Sequence, residues 1–212
     1  MTEETLFRKQ RIALLVSGSG SNAEVIMERF RDHTEAEVVF VGCNRSPDRA
    51  GIYARSMAFG LETVQFSRDE LSSGQLTNVL QQEGIDWIVL AGFLMQIPAE
   101  MVAAFDHRMI NIHPALLPKF GGKGMYNHHV HEAVAQAGEL ESGMTVHWVN
   151  AAYDEGDILF QASCALEEGD TADIIGAKVL ALEHRYYADV LESVIRETRR
   201  TSDPLSSRTN DI

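Results

Sequence analysis

Runs of apolar residues alternate with amphipathic stretches over the first half of the chain. Four stretches have the apolar spacing of helices: SNAEVIMERFRD (21–32), AGIYARSMAFG (50–60), LSSGQLTNVLQQEG (71–84) and AEMVAAFDHR (99–108). Around them lie five strand-like runs: RIALLVS (11–17), EVVFVGCN (37–44), ETVQF (62–66), DWIVLAGF (86–93) and MINIH (109–113). Several of these runs are almost wholly apolar, as in strands covered on both faces. The alternation therefore predicts an α/β fold with a doubly wound, mostly parallel sheet.

The pattern changes after residue 113. A long loop through KFGGKGMYN (119–127) precedes a short helix at 129–138, and two strand-like runs follow at 143–150 and 157–166. Because those two runs are closely spaced, we expect them to pair antiparallel at the edge of the sheet. A long C-terminal helix capped by Thr171 is then predicted from one apolar stripe: Ile175, Val179, Leu182, Tyr186, Val190 and Val194. We expect a single domain over residues 1–200 and a flexible tail over 201–212.

Composition and charge narrow the class of protein. The formal net charge of −13 disfavours a nucleic-acid partner, because a phosphate backbone would be repelled. Cys43 and Cys164 are too few for a disulfide framework, and no apolar run approaches the roughly 20 residues of a membrane span. The first ten residues, MTEETLFRKQ, lack the apolar core of a signal peptide. These features predict a cytoplasmic protein with small-molecule substrates.

The first strand runs into SGSGSN (17–22), which opens a helix. Gly18 and Gly20 allow a tight turn that brings backbone N–H groups, Ser21 and Asn22 to the helix N-terminus, as in a phosphate site. A plain glycine-rich turn capped by Ser21 is the alternative. Ala23 replaces the third glycine of a dinucleotide fingerprint, and no Walker sequence occurs. The turn therefore favours a phosphate on a small substrate over ATP or NAD.

The fifth strand ends in NIHP, with Asn111 and His113 two residues apart and so on the same strand face. In an open α/β sheet, ligands bind beyond the carboxyl ends of strands, where both this pair and the glycine turn lie. An amide N–H and an imidazolium can stabilise an oxyanion, which indicates addition to a carbonyl by a nucleophile that the substrate supplies. A carboxylate of the loop AAYDEGD (151–157) would raise the pKa of His113, and Asp154, Glu155 and Asp157 are the candidates.

Three histidines, His128, His129 and His131, lie close together in NHHVHEAV (127–134). They invite a metal site, but neither a CxxC nor an HExxH pattern accompanies them. We expect no metal.

Four motifs in this order resemble the phosphoribosylglycinamide formyltransferase family, folate-dependent enzymes of purine biosynthesis: SGSGSN, LAGFLMQIP (90–98), NIHPALLPKF (111–120) and GMTVHWVNAAYDEGDIL (143–159). The resemblance covers about residues 11–195. It implies 10-formyltetrahydrofolate as co-substrate, phosphoribosylglycinamide as acceptor, and a monomer or homodimer. The loop GGKGMYNHHVH (121–131) is several residues longer than the common family form, and Ala151 replaces a frequent acidic residue.

The resemblance also implies roles for particular residues. The catalytic trio falls on Asn111, His113 and Asp154. The ribonucleotide contacts fall on Gly20, Ser21, Asn22 and Glu183. The folate contacts, which also include Asn111 and Asp154, fall on Arg68, Leu94, Met95, Gln96, Ile97, Asn150, Ala151, Ala152 and Tyr153.

Three alternatives remain open at the sequence level. The first is another folate-dependent formyltransferase. Methionyl-tRNA formyltransferase is one example, and it is expected to carry a basic RNA-binding extension. Formyltetrahydrofolate deformylase is expected to carry an extra N-terminal domain, whereas ten residues precede the first predicted strand here. A non-catalytic nucleotide-binding module would leave the trio unexplained.

Overall fold

The structure, a computed structural model, describes residues 8–126 and 128–202. Its strands are β1 (Gln10–Val16), β2 (Ala36–Cys43), β3 (Thr63–Gln65), β4 (Trp87–Leu90), β5 (Met109–His113), β6 (Glu141–Trp148) and β7 (Ile158–Ala165). Its α-helices are α1 (Ser21–Phe30), α2 (Ile52–Met57), α3 (Arg68–Ser72), α4 (Gln75–Gln82), α5 (Ala99–Ala104), α6 (His128–Ala137) and α7 (Ala172–Ser202). None of the helices in this described part is long and apolar enough to cross a membrane.

The seven strands form one sheet in the order β3-β2-β1-β4-β5-β6-β7. The first five are parallel, β6 runs antiparallel to β5, and β7 runs antiparallel to β6. The doubly wound sheet with an antiparallel C-terminal edge is therefore confirmed. This order turns direction between β1 and β4, which places the carboxyl ends of β1, β4 and β5 side by side around a crevice.

Apolar side chains fill a layer on each face of the sheet. One layer packs α1 and α7 against β1, β4 and β5, with Phe30, Trp87 and Tyr187 among its fully buried side chains. The other layer packs α4 and α5 against the opposite face, around Leu80, Ile88 and Met101. Strands β1 and β4 are buried on both faces, which accounts for their uninterrupted apolar sequence.

Several predicted boundaries differ from the structure, and the glycine conformations explain two of them. The run at 86–93 is a strand only to Leu90, and Gly92 follows with a φ of 69°. The helix predicted over 71–84 is divided into α3 and α4, because Gly74 has a φ of 80° between them. Left-handed backbone conformations interrupt both kinds of element. A short 3-10 turn at Pro47–Arg49 was not predicted.

The C-terminal helix was predicted correctly as a long element, but its buried stripe was misassigned in the middle. Ile175 and Val179 are buried as expected, and Val194 is also buried. Between them the fully packed positions are Glu183, Tyr187 and Leu191, whereas Leu182, Tyr186 and Val190 are only partly buried. The apolar pattern misses this stripe because it contains a carboxyl group.

Thr171 lies just before α7, and its hydroxyl accepts a hydrogen bond from the backbone N–H of Ile174 at 3.4 Å. The helix continues to Ser202, so the predicted tail begins later than residue 201. Residues 203–212 of the predicted tail lie outside the described residues. Residues 1–7, which belong to the segment without a predicted signal peptide, also lie outside them. The single-domain organisation stays a prediction.

Candidate active site

A pocket of about 790 Å³ lies at the carboxyl ends of β1, β4 and β5. It lies within the size range of ordinary ligand sites. Nine of the predicted site residues line it: Gly20, Ser21, Asn22, Leu94, Asn111, His113, Tyr153, Asp154 and Glu183. The fold therefore brings the glycine turn and the NIH strand end, about 90 residues apart in sequence, to one cavity.

The end of the pocket next to β1 is built from backbone. Gly20 is the N-cap of α1 and has a φ of 76°, so the N–H groups that open the helix face the pocket. A Cβ at Gly20 would lie 2.6 Å from Cδ1 of Ile52, so the position requires glycine both for its conformation and for space. Free N–H groups and the helix dipole together make this end suitable for an anion.

Asn22 and Glu183 join α1 to α7 beside this anion site. Nδ2 of Asn22 donates a hydrogen bond of 2.7 Å to Oε2 of Glu183, and both side chains are buried. Burial raises the pKa of Glu183 to about 6, against the lowering effect of the Asn22 hydrogen bond. Oδ1 of Asn22 is buried without a hydrogen-bond partner. An unpartnered buried acceptor in a pocket wall can be satisfied by a ligand hydroxyl.

Tyr187, one helical turn after Glu183, fixes this part of α7 to the sheet. Its hydroxyl donates to the carbonyl oxygen of Leu90 at 2.9 Å, at the last residue of β4. Tyr187 is 1% exposed, and burial raises its pKa well above its ordinary value, so it remains a donor. This hydrogen bond fixes the position of Glu183 relative to the ends of the strands.

The other end of the pocket is built from side chains of three segments. Nδ1 of His113 lies 3.5 Å from Oδ2 of Asp154, and Nε2 of His113 lies 2.8 Å from the carbonyl oxygen of Phe120. Nδ2 of Asn111 lies 3.5 Å from the other carboxylate oxygen, Oδ1 of Asp154. Asp154 thus contacts both other members of the predicted trio, and it is the acid that the loop supplies to His113.

The pKa of His113 is lowered from its ordinary value, because burial disfavours the charged ring more than its neighbours favour it. Asp154 and the Phe120 carbonyl act in the predicted direction and raise this pKa, while His147 lowers it. The rise expected from a neighbouring carboxylate is therefore outweighed by desolvation of the ring. A substrate that brings negative charge to the ring would shift the balance towards the imidazolium.

Asp154 is held in a conformation that few non-glycine residues adopt. Its φ is 57°, and its Oδ2 accepts a 3.0 Å hydrogen bond from the N–H of Gly122. Burial raises the pKa of Asp154, but the neighbouring His147 and His113 rings and the N–H of Gly122 together lower it by more, so the net shift is downward. Asp154 is therefore an anion at neutral pH, and left-handed backbone at such a position is a common mark of a functional site.

The predicted folate segments lie next to the catalytic end. Leu94 and Tyr153 line the pocket, and the backbone N–H of Leu94 donates to Oγ of Ser17 at 2.9 Å. Nε2 of Gln96 donates to the carbonyl oxygen of Ala151 at 3.0 Å, which joins the segment after β4 to the loop after β6. The two segments therefore form one wall, although they are far apart in sequence.

The remaining predicted residues do not line the cavity itself. Met95 and Ile97 pack into the second apolar layer. Asn150 accepts a hydrogen bond from the N–H of Ala152 and so shapes the 150–154 loop from within. Arg68 is exposed at the start of α3, beyond the edge strand β3, and β2 separates that strand from β1. Arg68 does not line the pocket, and its role as a folate contact stays a prediction.

The histidine cluster divides into two surface residues and one buried residue. His128 lies 3.4 Å from Glu132 and 3.5 Å from Asp173, and His129 lies 3.3 Å from Glu132. His131 is buried against Gly176 of α7. Within residues 8–126 and 128–202, no group of three or more His, Cys, Asp or Glu side chains has a metal-binding arrangement.

Sequence reasoning missed three contributors to the catalytic end. His147 lies against Asn111, the Phe120 carbonyl contacts His113, and the Gly122 N–H contacts Asp154. Two of these are backbone groups, whose contacts cannot be predicted from the residue type. His147 left a weak signal, since it is a polar residue within an apolar strand pattern, but its partner depends on the pairing of β5 with β6.

Comparison with known families gives the class of protein. The sequence model of the formyl transferase family matches residues 10–191, a stretch that includes both ends of the pocket. The chain therefore belongs to the formyl transferase family.

Individual relatives narrow this class. The chain is 40% identical over 197 residues to chloroplastic phosphoribosylglycinamide formyltransferase of Arabidopsis thaliana, covering 90% of this chain and 67% of the relative. It is 38% identical to the Vigna unguiculata protein of the same name, of which it spans 62%. Solved structures of phosphoribosylglycinamide formyltransferases superimpose well. The Anaplasma phagocytophilum structure has a TM-score of 0.80 and 29% sequence identity, and the match covers 90% of this chain and 89% of the other. The Brucella melitensis structure has a TM-score of 0.78 and 34% identity, and the match covers 89% of this chain and 96% of the other. The resemblance deduced from the motifs is confirmed.

Proposed function

We propose that the protein transfers the formyl group of 10-formyltetrahydrofolate to the amine of phosphoribosylglycinamide, a step of de novo purine biosynthesis. One observation carries the proposal. A single pocket holds an anion site at Gly20–Asn22 and the contacting side chains of Asn111, His113 and Asp154 at its other end. This arrangement suits an acceptor with a phosphate at one end and a nucleophile at the other.

The acceptor is oriented by its phosphate and its sugar. The phosphate binds the N–H groups at the start of α1, where the helix dipole favours negative charge. The ribose lies towards Glu183 and Asn22, whose buried Oδ1 lacks a partner in the described structure. The amine then projects towards His113, and holding both reactants in this way supplies much of the rate.

The reaction forms one C–N bond and breaks another. The amine attacks the formyl carbon, the carbonyl electrons move onto oxygen, and the tetrahedral oxyanion collapses with departure of the folate N10. His113 in its protonated form donates a hydrogen bond to the oxyanion and then gives its proton to the leaving nitrogen, and the neutral ring takes up the proton that the attacking amine loses. Asp154 stabilises the imidazolium, and Asn111 lies beside the reacting atoms.

His113 needs one exchange of partner before it can act. Its Nε2 is bonded to the carbonyl of Phe120, a residue with a φ of 56°. The formyl oxygen takes the place of that carbonyl, while Nδ1 stays with Asp154. The folate ring lies on the wall made by residues 94–97 and 150–154, which Gln96 and Ala151 join.

The test is a formyl-transfer assay on the purified protein, with phosphoribosylglycinamide or water as the acceptor. We expect transfer to the ribonucleotide and only slow release of formate in its absence. Formate release that ignores the ribonucleotide would instead identify a deformylase. A protein that binds both ligands without turnover would be the non-catalytic module.

Two further properties complete the proposal. The expected cytoplasmic location and the monomeric or homodimeric state rest on the sequence, and the plant relatives are named as chloroplastic. No metal takes part in the proposed steps, since His113 transfers the protons and Asp154 stabilises the imidazolium.

A further inference from the structure

We propose that His147 is a positioning residue that fixes which end of the Asn111 amide faces the reaction pocket. This inference rests on the proposed function, because it concerns how Asn111 meets the attacking amine. His147 belongs to β6 and is the antiparallel partner of Asn111 in β5. It is 2% exposed and lies between Asn111 and Asp154.

The proton on one ring nitrogen of His147 is assigned by its partner. Nδ1 lies 2.8 Å from the carbonyl oxygen of Trp148, which can only accept a hydrogen bond. Nδ1 therefore carries hydrogen, and in the neutral ring Nε2 has a lone pair. Gly156 packs tightly against the Trp148 carbonyl, since a Cβ at that position would collide with its oxygen.

The Nε2 lone pair then determines how Asn111 is turned. Nδ2 of Asn111 lies 3.1 Å from Nε2 and donates to it. The same amide nitrogen lies 3.5 Å from Oδ1 of Asp154, a second acceptor. If the amide were reversed, its oxygen would face both a lone pair and a carboxylate, which is repulsive. The two neighbours together therefore select one orientation.

This orientation directs the Asn111 carbonyl oxygen away from the β5–β6 pair. Among residues 8–126 and 128–202, no donor is bonded to that oxygen, and Asn111 lines the pocket. A carbonyl oxygen there accepts a hydrogen bond from the attacking amine and keeps its lone pair aimed at the formyl carbon. Asn111 thus acts on the nucleophile, and His113 is left as the donor to the oxyanion.

A charged His147 would give the opposite arrangement. Its Nε2–H would donate to the amide oxygen or to Asp154 at 3.6 Å, and the amide nitrogen would then face the pocket. The charged and titratable groups that face His147 are Asp154, from the loop after β6, and His113, from β5. The ring nitrogen of His147 that carries hydrogen is therefore the quantity to measure.

The first experiment measures nitrogen chemical shifts of the His147 ring in the wild-type protein, which needs no turnover. Across pH 7 to 8 we expect a neutral ring with hydrogen on Nδ1 and an unprotonated Nε2. A proton on Nε2 in that range would overturn the proposed orientation. Because this readout does not depend on activity, it stays decisive even if the protein fails to transfer formyl groups.

The second experiment is a double-mutant cycle of His147→Leu and Asn111→Ala, read as kcat and KM. We expect His147→Leu to lower kcat roughly tenfold, with the KM for phosphoribosylglycinamide changed less than about threefold. In the Asn111→Ala background the same replacement should change kcat less than about twofold. Equal losses in both backgrounds would show a merely structural role and overturn the proposal.

Two further variants serve as controls. His147→Gln retains a side-chain acceptor and should keep more activity than His147→Leu; it also replaces the leucine variant in the cycle if that variant does not fold. His33→Leu is the matched control, since His33 is a partly buried histidine, with a side chain 12% exposed, and lies outside the pocket. Its kcat should equal that of the wild type, and a similar loss there would point to a general effect of removing a buried histidine.

Discussion

The two ends of the pocket are built in different ways. The anion end consists of backbone N–H groups at the start of α1, within the contiguous segment SGSGSN, with Gly20 held at a φ of 76°. The catalytic end consists of side chains from β5, β6 and the loop after β6, which meet only because β6 pairs antiparallel with β5. The first end is thus a local structure and the second a tertiary one. We expect them to respond differently to substitution: the local end should control affinity, and the tertiary end should control the chemical step.

The largest effect is expected at the catalytic end. Asn111→Ala should lower kcat by roughly 10²- to 10³-fold, because the substrate loses a group that orients its reacting atoms. The KM for phosphoribosylglycinamide should change little, since the phosphate contacts are untouched. Steady-state kinetics with both substrates will measure this. A rise in KM at constant kcat would remove the distinction between the two ends.

At the anion end, removing the phosphate from the acceptor should weaken binding by roughly 10²-fold. Hydrogen bonds to a charged group contribute about 1.5–3 kcal/mol each, and the dephosphorylated acceptor forfeits those to the start of α1. Calorimetric titration of the ribonucleotide and the corresponding riboside gives the ratio. Equal affinities would mean that Gly20–Asn22 is an ordinary helix start.

Glu183 links the anion end to α7, and its buried carboxyl should lower the free energy of unfolding at neutral pH. Its pKa is raised to about 6 in the folded state, so folding is opposed as pH rises from about 4.5 through about 6. Glu183→Gln should therefore add about 2 kcal/mol of stability at pH 7, from 1.5 pKa units, and nothing at pH 4. Urea unfolding at both values of pH measures the difference. A gain that is the same at both would exclude titration of Glu183 as the cause.

At the catalytic end, Asp154→Asn should lower kcat about tenfold with little change in substrate affinity. Asp154 raises the pKa of His113 against burial, so its removal should move that pKa further down and shift the fall of activity to lower pH. An NMR titration of His113 in both proteins tests the link. If the pKa of His113 stays the same, Asp154 is not its charge partner.

The smallest effect is expected on removing metal ions. Chelation followed by dialysis should leave kcat unchanged, because His128 and His129 are paired with acidic side chains at the surface and His131 is packed against α7. Activity that is lost with bound zinc and restored by its return would contradict this prediction.

The order of the elements and the contiguous motifs were predictable from the sequence alone. Apolar periodicity predicted the strands and helices, because burial on both faces of a sheet demands uninterrupted apolar runs. SGSGSN and NIHP were visible because their function depends on neighbouring residues. The boundaries at Gly74 and Gly92 were not visible, since a glycine can also remain within a helix or strand.

The tertiary structure decided which distant groups meet. Glu183 was not part of the predicted apolar stripe of α7, and its hydrogen bond with Asn22 shows how a carboxyl group is accommodated there. Asp154 could not be preferred to Glu155 or Asp157 from composition, and the left-handed turn at φ 57° selects it. Asp154 raises the pKa of His113 as expected, but the net shift is downward, since a sequence shows a neighbouring carboxylate and not the loss of water around the ring. His147 was missed because its role depends on strand register, which places residue 147 opposite residue 111.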